Sequence, residues 1–274
     1  MRLLRIIGMG AGSPGHISHD AAAALASSDA VVALDKGDTK ADLLELRRRI
    51  LATHAPDLPL LTVDDPPRDR HPAGTPEYHR EVQRWHQKRA RLLADTITSS
   101  LSDGQTAAFL VWGDPSLYDS TLRIIERMQN LGLGCRTEVY PGITAVQALT
   151  AAHRILINRI GEPITVTTGR QLQKDLDAPD TASRIKAVSN TVVMLDGKTA
   201  WTHPGIDRDH TYMWWGAYVS TDKQVLRKGW VGDIADDVAQ TKAQLRAQHG
   251  WIMDTYLLRY FDPDGDDQPE TLMT

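Results

Sequence analysis

Three turns carry the residues best suited to chemistry in this chain of 274 residues. The first is Gly10-Ala11-Gly12-Ser13-Pro14-Gly15. It matches the GxGxxG spacing of loops whose backbone N–H groups face a pyrophosphate. Pro14 removes one of those donors and fixes its own φ, and the helical pattern begins only near Ser18. Asp35 ends the next apolar run, about where a ribose-binding acid would stand. The loop thus admits three readings: a nicotinamide dehydrogenase, a tight turn that simply uses glycine, and a loop that lets a substrate or cofactor approach the backbone. No GxxxxGK[ST] occurs, which excludes the nucleoside-triphosphate loop.

The second turn is Gly113-Asp114-Pro115-Ser116-Leu117-Tyr118-Asp119, directly after an apolar run. A carboxylate there is favoured by a following helix N-terminus, so Asp114 caps that helix or accepts from a ligand amine or hydroxyl. Tyr118 adds a ring and an OH near the same point. The third turn, Pro141-Gly142-Ile143-Thr144-Ala145, is rigid, and Thr144 either caps the next helix or bonds a ligand.

Charge concentrates in one place. Lys and Arg number 31 against 35 Asp and Glu, a formal net charge of −4, which argues against a dedicated nucleic-acid binder. Yet residues 68–91 hold Arg68, Arg70, His71, His79, Arg80, Arg84, His86, Lys88, Arg89 and Arg91. On a helix, Arg84 shares a face with Arg80 and Lys88, either as a solvated face or as a grip on an anion. Asp35, His86 and Asp119 are the candidate bases, Arg89 and Tyr118 the candidates for steadying charge, and Arg170 sits near a strand end where it could hold a carboxylate. One cysteine, Cys135, excludes an internal disulfide and a Cys-based zinc cluster, and no metal is expected. Five of the seven Trp lie in the second half, and the adjacent Trp214 and Trp215 should point to opposite sides of a strand, one into the core and the other toward a cleft or an interface.

The elements that position these turns follow from periodicity. Strands are predicted at 3–7, 30–34, 59–63, 106–112 and 136–140, with helices at 18–28, 39–52 (capped by Thr39), 77–101, 118–130 and 143–152. Such alternation predicts a mostly parallel sheet with helices on both faces, where ligands bind beyond the carboxyl ends of the strands. The segment 64–76 is a long, proline-rich loop. After a link at 153–162 come strands at 164–168, 191–195, 211–216, 223–230 and 255–260, and a helix over 240–248 that starts near 234. The expected division is an α/β domain over 1–152 and a mixed α/β domain over 153–274. With 41% apolar and 24% charged residues and no run long enough to span a bilayer, a globular cytoplasmic protein is expected.

Taken in order, the glycine loop, the Gly-Asp-Pro after a strand and the Pro-Gly-Ile-Thr-Ala turn resemble the tetrapyrrole (corrin/porphyrin) methyltransferases that use S-adenosylmethionine. The resemblance runs over nearly the whole chain. Val111 to Arg123, Trp85-His86 with Arg89-Ala90, Thr168-Gly169-Arg170-Gln171-Leu172 and Trp215-Gly216-Ala217-Tyr218 are most similar to the branch that methylates C-1 of precorrin-5 with loss of acetate, on the way to cobalamin.

The resemblance implies two α/β domains with the cofactor cleft between them. It implies that Gly113, Asp114, Ser116, Leu117 and Tyr118 line the methionine and ribose side, with Thr144 and Ala145 near. Met194, Leu195, Gly216 and Ala217 are implied for the adenine. Gly10, Gly12, Ser13 and Pro14 then face the tetrapyrrole, with Arg84, Arg89 and Arg170 on its carboxylates. This removes the dehydrogenase reading. A sibling acting on precorrin-4 and a non-catalytic tetrapyrrole-binding protein stay open as alternatives, and a homodimer is the implied assembly.

Overall fold

The computed structural model describes residues 1–35, 41–67, 75–265 and 269. Thr39, Arg68, Arg70 and His71 lie outside them, as does the side chain of His79. The chain divides into two compact units, Met1–Thr144 and Ala145–Thr274.

The first unit alternates strand and helix: β1 (Arg2–Gly8), α1 (His19–Ala26), β2 (Ala30–Asp35), α2 (Ala41–His54), β3 (Leu60–Asp64), α3 (Thr75–Ser100), β4 (Thr106–Val111), α4 (Thr121–Asn130) and β5 (Cys135–Tyr140). All five strands are parallel, in the order β3-β2-β4-β1-β5. Their side chains alternate between two cores. Leu4 and Ile6 pack with Ala90, Leu93 and Ile97 of α3 and with Ile124 and Met128 of α4. Ile7 and Met9 pack on the opposite face with Ala21 and Leu25 of α1 and with Leu46 and Ile50 of α2. Ser18 starts α1, its hydroxyl accepting from the Ala21 N–H. The sheet order has one consequence for the site: β1 lies between β4 and β5, so the turns after these three strands open side by side.

The second unit comprises α5 (Ala145–His153), β6 (Thr165–Thr168), α6 (Gly169–Leu176), α7 (Thr181–Val188), β7 (Thr191–Met194), β8 (Thr211–Ala217), β9 (Val225–Trp230), α8 (Val231–His249) and β10 (Asp254–Tyr260). Its sheet runs β6-β7-β10-β8-β9, with only β6 and β7 parallel. Helices α6 and α7 were not foreseen. Each has two turns and few apolar positions, but each carries its own start signal, the Thr168 hydroxyl bonding Gln171 N–H and the Asp180 carboxylate bonding Ser183 N–H. Helix α5, expected with the first domain, belongs to the second unit. Buried His153 donates from Nε2 to the Trp215 carbonyl at 3.0 Å, which ties α5 to β8. Trp214 and Trp215 do point to opposite sides, but both are fully buried, so neither faces a cleft or an interface.

Candidate active site

The three turns of the first unit interlock through their backbones. Gly10 and Gly113 form a short antiparallel bridge, with Gly113 N–H to the Gly10 carbonyl at 2.9 Å and Gly10 N–H to the Gly113 carbonyl at 3.3 Å. A Cβ on Gly8 would lie 2.5 Å from Gly142 N and 2.9 Å from Gly113 O, and a Cβ on Gly142 would overlap the Gly113 carbonyl. Only bare backbone fits where these turns meet, as a parallel β4-β1-β5 neighbourhood requires when all three strands end together.

Asp114 locks the arrangement. Its Oδ2 accepts the Gly142 N–H at 2.8 Å, and its Oδ1 accepts both the Ser116 N–H at 2.8 Å and the Ser116 hydroxyl. Burial alone would push this carboxyl up. The hydrogen bonds from Ser116 and Gly142 outweigh burial and hold it below the ordinary carboxylate value. Asp114 does not cap α4, as the helix begins only at Thr121. That task falls to Asp119, whose Oδ1 accepts the Thr121 N–H at 2.6 Å. Tyr118 stands out from the turn, 43% exposed and in the left-handed conformation at φ +51°. Burial of its phenol pushes its titration up, so it keeps its proton and can donate.

In the glycine loop, Ala11 N–H reaches His16 Nδ1 at 3.4 Å, and burial lowers the His16 titration, keeping that nitrogen an acceptor. Ser13 takes the Gly15 N–H at 3.2 Å, and the Pro14 carbonyl takes His54 Nε2–H at 3.3 Å. Ser13 and Pro14 are half-buried, and Gly12 holds φ +152°. Gly10 and Gly12 are buried, so this loop lies against the Gly113 turn.

Asp35 ends β2 opposite Asp64 of β3 and is half-buried. Asp119 lines a cavity of about 80 Å³ together with Arg47 and Arg89. Sequence reasoning missed Arg47: it donates from Nε to the Leu110 carbonyl at 3.1 Å, and burial pulls its guanidinium down to about 10 against the opposing pull of Asp119. The signal was the position of an Arg on the inward stripe of α2, between Leu46 and Ile50.

Arg89 requires a correction. It was expected to grip substrate or steady charge, but it is only 4% exposed. Its guanidinium pairs with both oxygens of Asp65 (Nε to Oδ1 at 2.6 Å) and stacks on the Trp85 ring at 3.4 Å. It therefore fastens the chain after β3 to α3. Arg84 is exposed and pairs with Glu81 at 2.6 Å, and Arg80 pairs likewise with Glu77. Acidic residues one turn away thus reduce the basic face that the sequence suggested. His86 is half-buried, its ring 5.3 Å from that of Trp85. Arg170 is exposed in the first turn of α6.

In the second unit β10 separates the Met194–Leu195 segment from Gly216 and Ala217 by one strand. Thr255 of β10 pairs with Met194 on one side and Gly216 on the other, and Asp254 pairs with Ala217. Leu195 is 67% exposed at φ +53°, and Tyr218 follows Ala217 at φ +48°. Non-glycine residues in this conformation are strained and concentrate at ligand sites. Of the seven such residues among those described, Tyr118 and Leu195 belong to the expected cofactor segments and Tyr218 directly follows one, while Arg154, Asn190, Thr199 and Ser220 lie outside them. A larger cavity of about 520 Å³, lined by Leu176, Arg184, Ile185, His203 and Tyr260 among others, includes none of the expected site residues.

Comparison with known proteins places this geometry. The family model for tetrapyrrole (corrin/porphyrin) methylases matches residues 4–235. A precorrin-6A synthase [deacetylating] from Sinorhizobium sp is 38% identical over 260 residues, covering 94% of this chain and 95% of that one. Among solved structures, a cobalamin synthesis related protein (CobF) from Corynebacterium diphtheriae is 52% identical with a TM-score of 0.81, covering 96% of this chain and all of that one. A cobalt precorrin-4 methyltransferase, at 16% identity and a TM-score of 0.59 over 93% of this chain and 94% of its own, shares the fold. The chain thus belongs to the tetrapyrrole (corrin/porphyrin) methylases and is an S-adenosylmethionine-dependent methyltransferase closely related to precorrin-6A synthase.

Proposed function

We propose that this enzyme methylates C-1 of precorrin-5 and releases acetate, giving precorrin-6A. The observation that carries the reading is the near full-length relationship to the Sinorhizobium precorrin-6A synthase [deacetylating]. Water adds to the acetyl carbonyl at C-1, and the bond from C-1 to that carbonyl breaks. Acetate leaves, and the electron pair left on the ring forms the new carbon–methyl bond. S-adenosylmethionine, when bound, supplies an electrophilic methyl on a sulfonium that is already a good leaving group.

The chain's own residues suit the remaining tasks. Gly113, Asp114, Ser116, Leu117, Tyr118 and Thr144 of the first unit, with Ala145 at the start of the second, are assigned to the methionine and ribose. The fit rests on the exposed Ser116 and Tyr118 at the end of this turn. In the second unit, Met194, Leu195, Gly216 and Ala217 are assigned to the adenine, and the exposed apolar face of Leu195 suits a flat purine. Gly10, Gly12, Ser13 and Pro14 are assigned to the macrocycle. Tyr118, which keeps its proton, is suited to donate to the oxyanion that forms on the acetyl carbonyl. Asp35 and His86 are the candidates for accepting the proton of the attacking water. Methyl transfer itself then rests on alignment of the reacting atoms.

The test is incubation of the purified protein with precorrin-5 and S-adenosylmethionine, following product mass, acetate and S-adenosylhomocysteine. Acetate and S-adenosylhomocysteine should form in equal amounts. Methylation without acetate would assign the enzyme to another ring position.

A further inference from the structure

We propose that Asp196, which no part of the reading above uses, is a positioning residue that holds Leu195 in its left-handed, outward-facing conformation and so shapes the adenine site. The inference rests on the assignment of Met194 and Leu195 to the adenine.

Asp196 is the residue after Leu195, and the two differ sharply in environment: Leu195 is 67% exposed, Asp196 only 5%. The buried carboxylate organises the whole turn beyond β7. Its Oδ1 accepts the Lys198 N–H at 2.9 Å, and its Oδ2 accepts the Ala200 N–H at 2.6 Å and the Tyr256 hydroxyl at 2.7 Å. Burial and the adjacent Asp196 both push the Tyr256 phenol far up, so it remains a donor. The Asp196 backbone carbonyl accepts from Lys242 Nζ, which also bonds Asp254 Oδ2 at 2.8 Å, and Trp215 Nε1 donates to the same oxygen at 2.9 Å.

The carboxylate also has a fixed seat. Gly169, which opens α6 beside β7, leaves no room for a Cβ because the Asp196 carboxylate occupies that space. Leu195 and Thr199, both at φ +53°, flank the segment Asp196 holds. A leucine has no intrinsic reason to adopt that backbone or to face water. Both disfavoured features are maintained by one over-determined neighbour, the pattern expected where strain is stored for a ligand.

The experiment measures S-adenosylhomocysteine affinity by calorimetry together with melting temperature. The proteins are wild type, Leu195→Gly, Asp196→Asn and the double variant. Leu195→Gly should melt higher than wild type, as glycine adopts φ +53° without the strain leucine bears there, yet bind at least tenfold more weakly. A residue serving only stability would move both quantities in the same direction. Asp196→Asn should also weaken binding at least tenfold, but less than threefold further in the Leu195→Gly background, because its effect passes through Leu195. Tyr256→Phe removes one of the carboxylate's three hydrogen bonds and serves as the milder variant if Asp196→Asn does not fold; it should weaken binding in the wild-type background and not in the Leu195→Gly background. Independent losses in the two backgrounds, or unchanged affinity in folded Asp196→Asn, would overturn the positioning role while leaving the cofactor assignment intact. A wild-type protein that binds no S-adenosylhomocysteine would overturn the assignment itself, and the proposal with it.

Discussion

Asp114 shows how a residue that looks like a ligand contact can first be a fastener. Both its oxygens are engaged, by Ser116 and by Gly142 N–H. Replacing it with Ala leaves the Gly142 N–H without its partner, which costs about 1–3 kcal/mol. A lower melting temperature is expected alongside weaker S-adenosylmethionine binding. The pH dependence has a definite sign. The folded carboxyl titrates below its ordinary value of 3.8, so its contribution is complete above that value and is lost as pH falls through the folded value. The stability gap between wild type and Asp114→Asn, measured by urea titration, should therefore be constant near neutrality and shrink below about pH 4. The type and position of Asp114 were readable from the Gly-Asp-Pro turn. Its commitment to Gly142 was not, since that contact depends on β1 placing β4 and β5 on either side of it.

At the scale of elements, three contacts, one of a histidine and two of arginines, set expectations. His153 fastens α5 to β8, and burial lowers its titration against the raising effect of its bond to the Trp215 carbonyl. A buried histidine held neutral stabilises fully above its unfolded value of 6.5 and destabilises as pH falls below it. His153→Gln should flatten the decline in melting temperature between about pH 6.5 and 5 while lowering stability at pH 8. On α3 the contrast is between Arg89 and Arg84. Arg89→Met leaves Asp65, whose side chain is 14% exposed, without its partner, and a loss of about 3–5 kcal/mol is expected by denaturant titration. Arg84→Ala breaks only an exposed pair with Glu81 and should cost about 0–1 kcal/mol. The strands and long helices were readable because their apolar periods are strong. Helices α6 and α7 were missed because Leu172 and Leu176 are the only leucines of α6 and Val188 the only fully buried residue of α7. Charge alone also misled on α3, because Glu77 and Glu81 sit one turn before Arg80 and Arg84.

For the whole molecule, the net charge of −4 stands against the carboxylates of the proposed precorrin-5 substrate. With Arg80 and Arg84 paired to acids of their own helix and Arg89 buried against Asp65, these three arginines supply little screened attraction. The Michaelis constant for precorrin-5 should thus change less than about threefold between low salt and 0.3 M salt, and Arg84→Ala should leave that response unaltered. A steep salt dependence abolished by Arg84→Ala would restore that residue to the substrate. The parallel first sheet, the strand-rich second unit and the order of turns were carried by sequence pattern; the strand directions of the second sheet were not. The boundary at 144/145 was not, because α5 has the same helical signal whichever sheet it packs on.

The meeting of Gly8, Gly113 and Gly142 has a bearing on how such a sequence can change over time. An added methyl at Gly8 or Gly142 collides with main chain of the other two, and main chain has no smaller alternative. No second substitution can make the room, so compensatory routes are closed at this point. In a saturation library selected for folding and activity, Gly8 and Gly142 should therefore tolerate nothing in any genetic background. Gly15, where an added methyl meets only the Ser13 hydroxyl oxygen at 3.6 Å, should drift freely. Variation in this enzyme is channelled away from the strand ends and into the side chains around them.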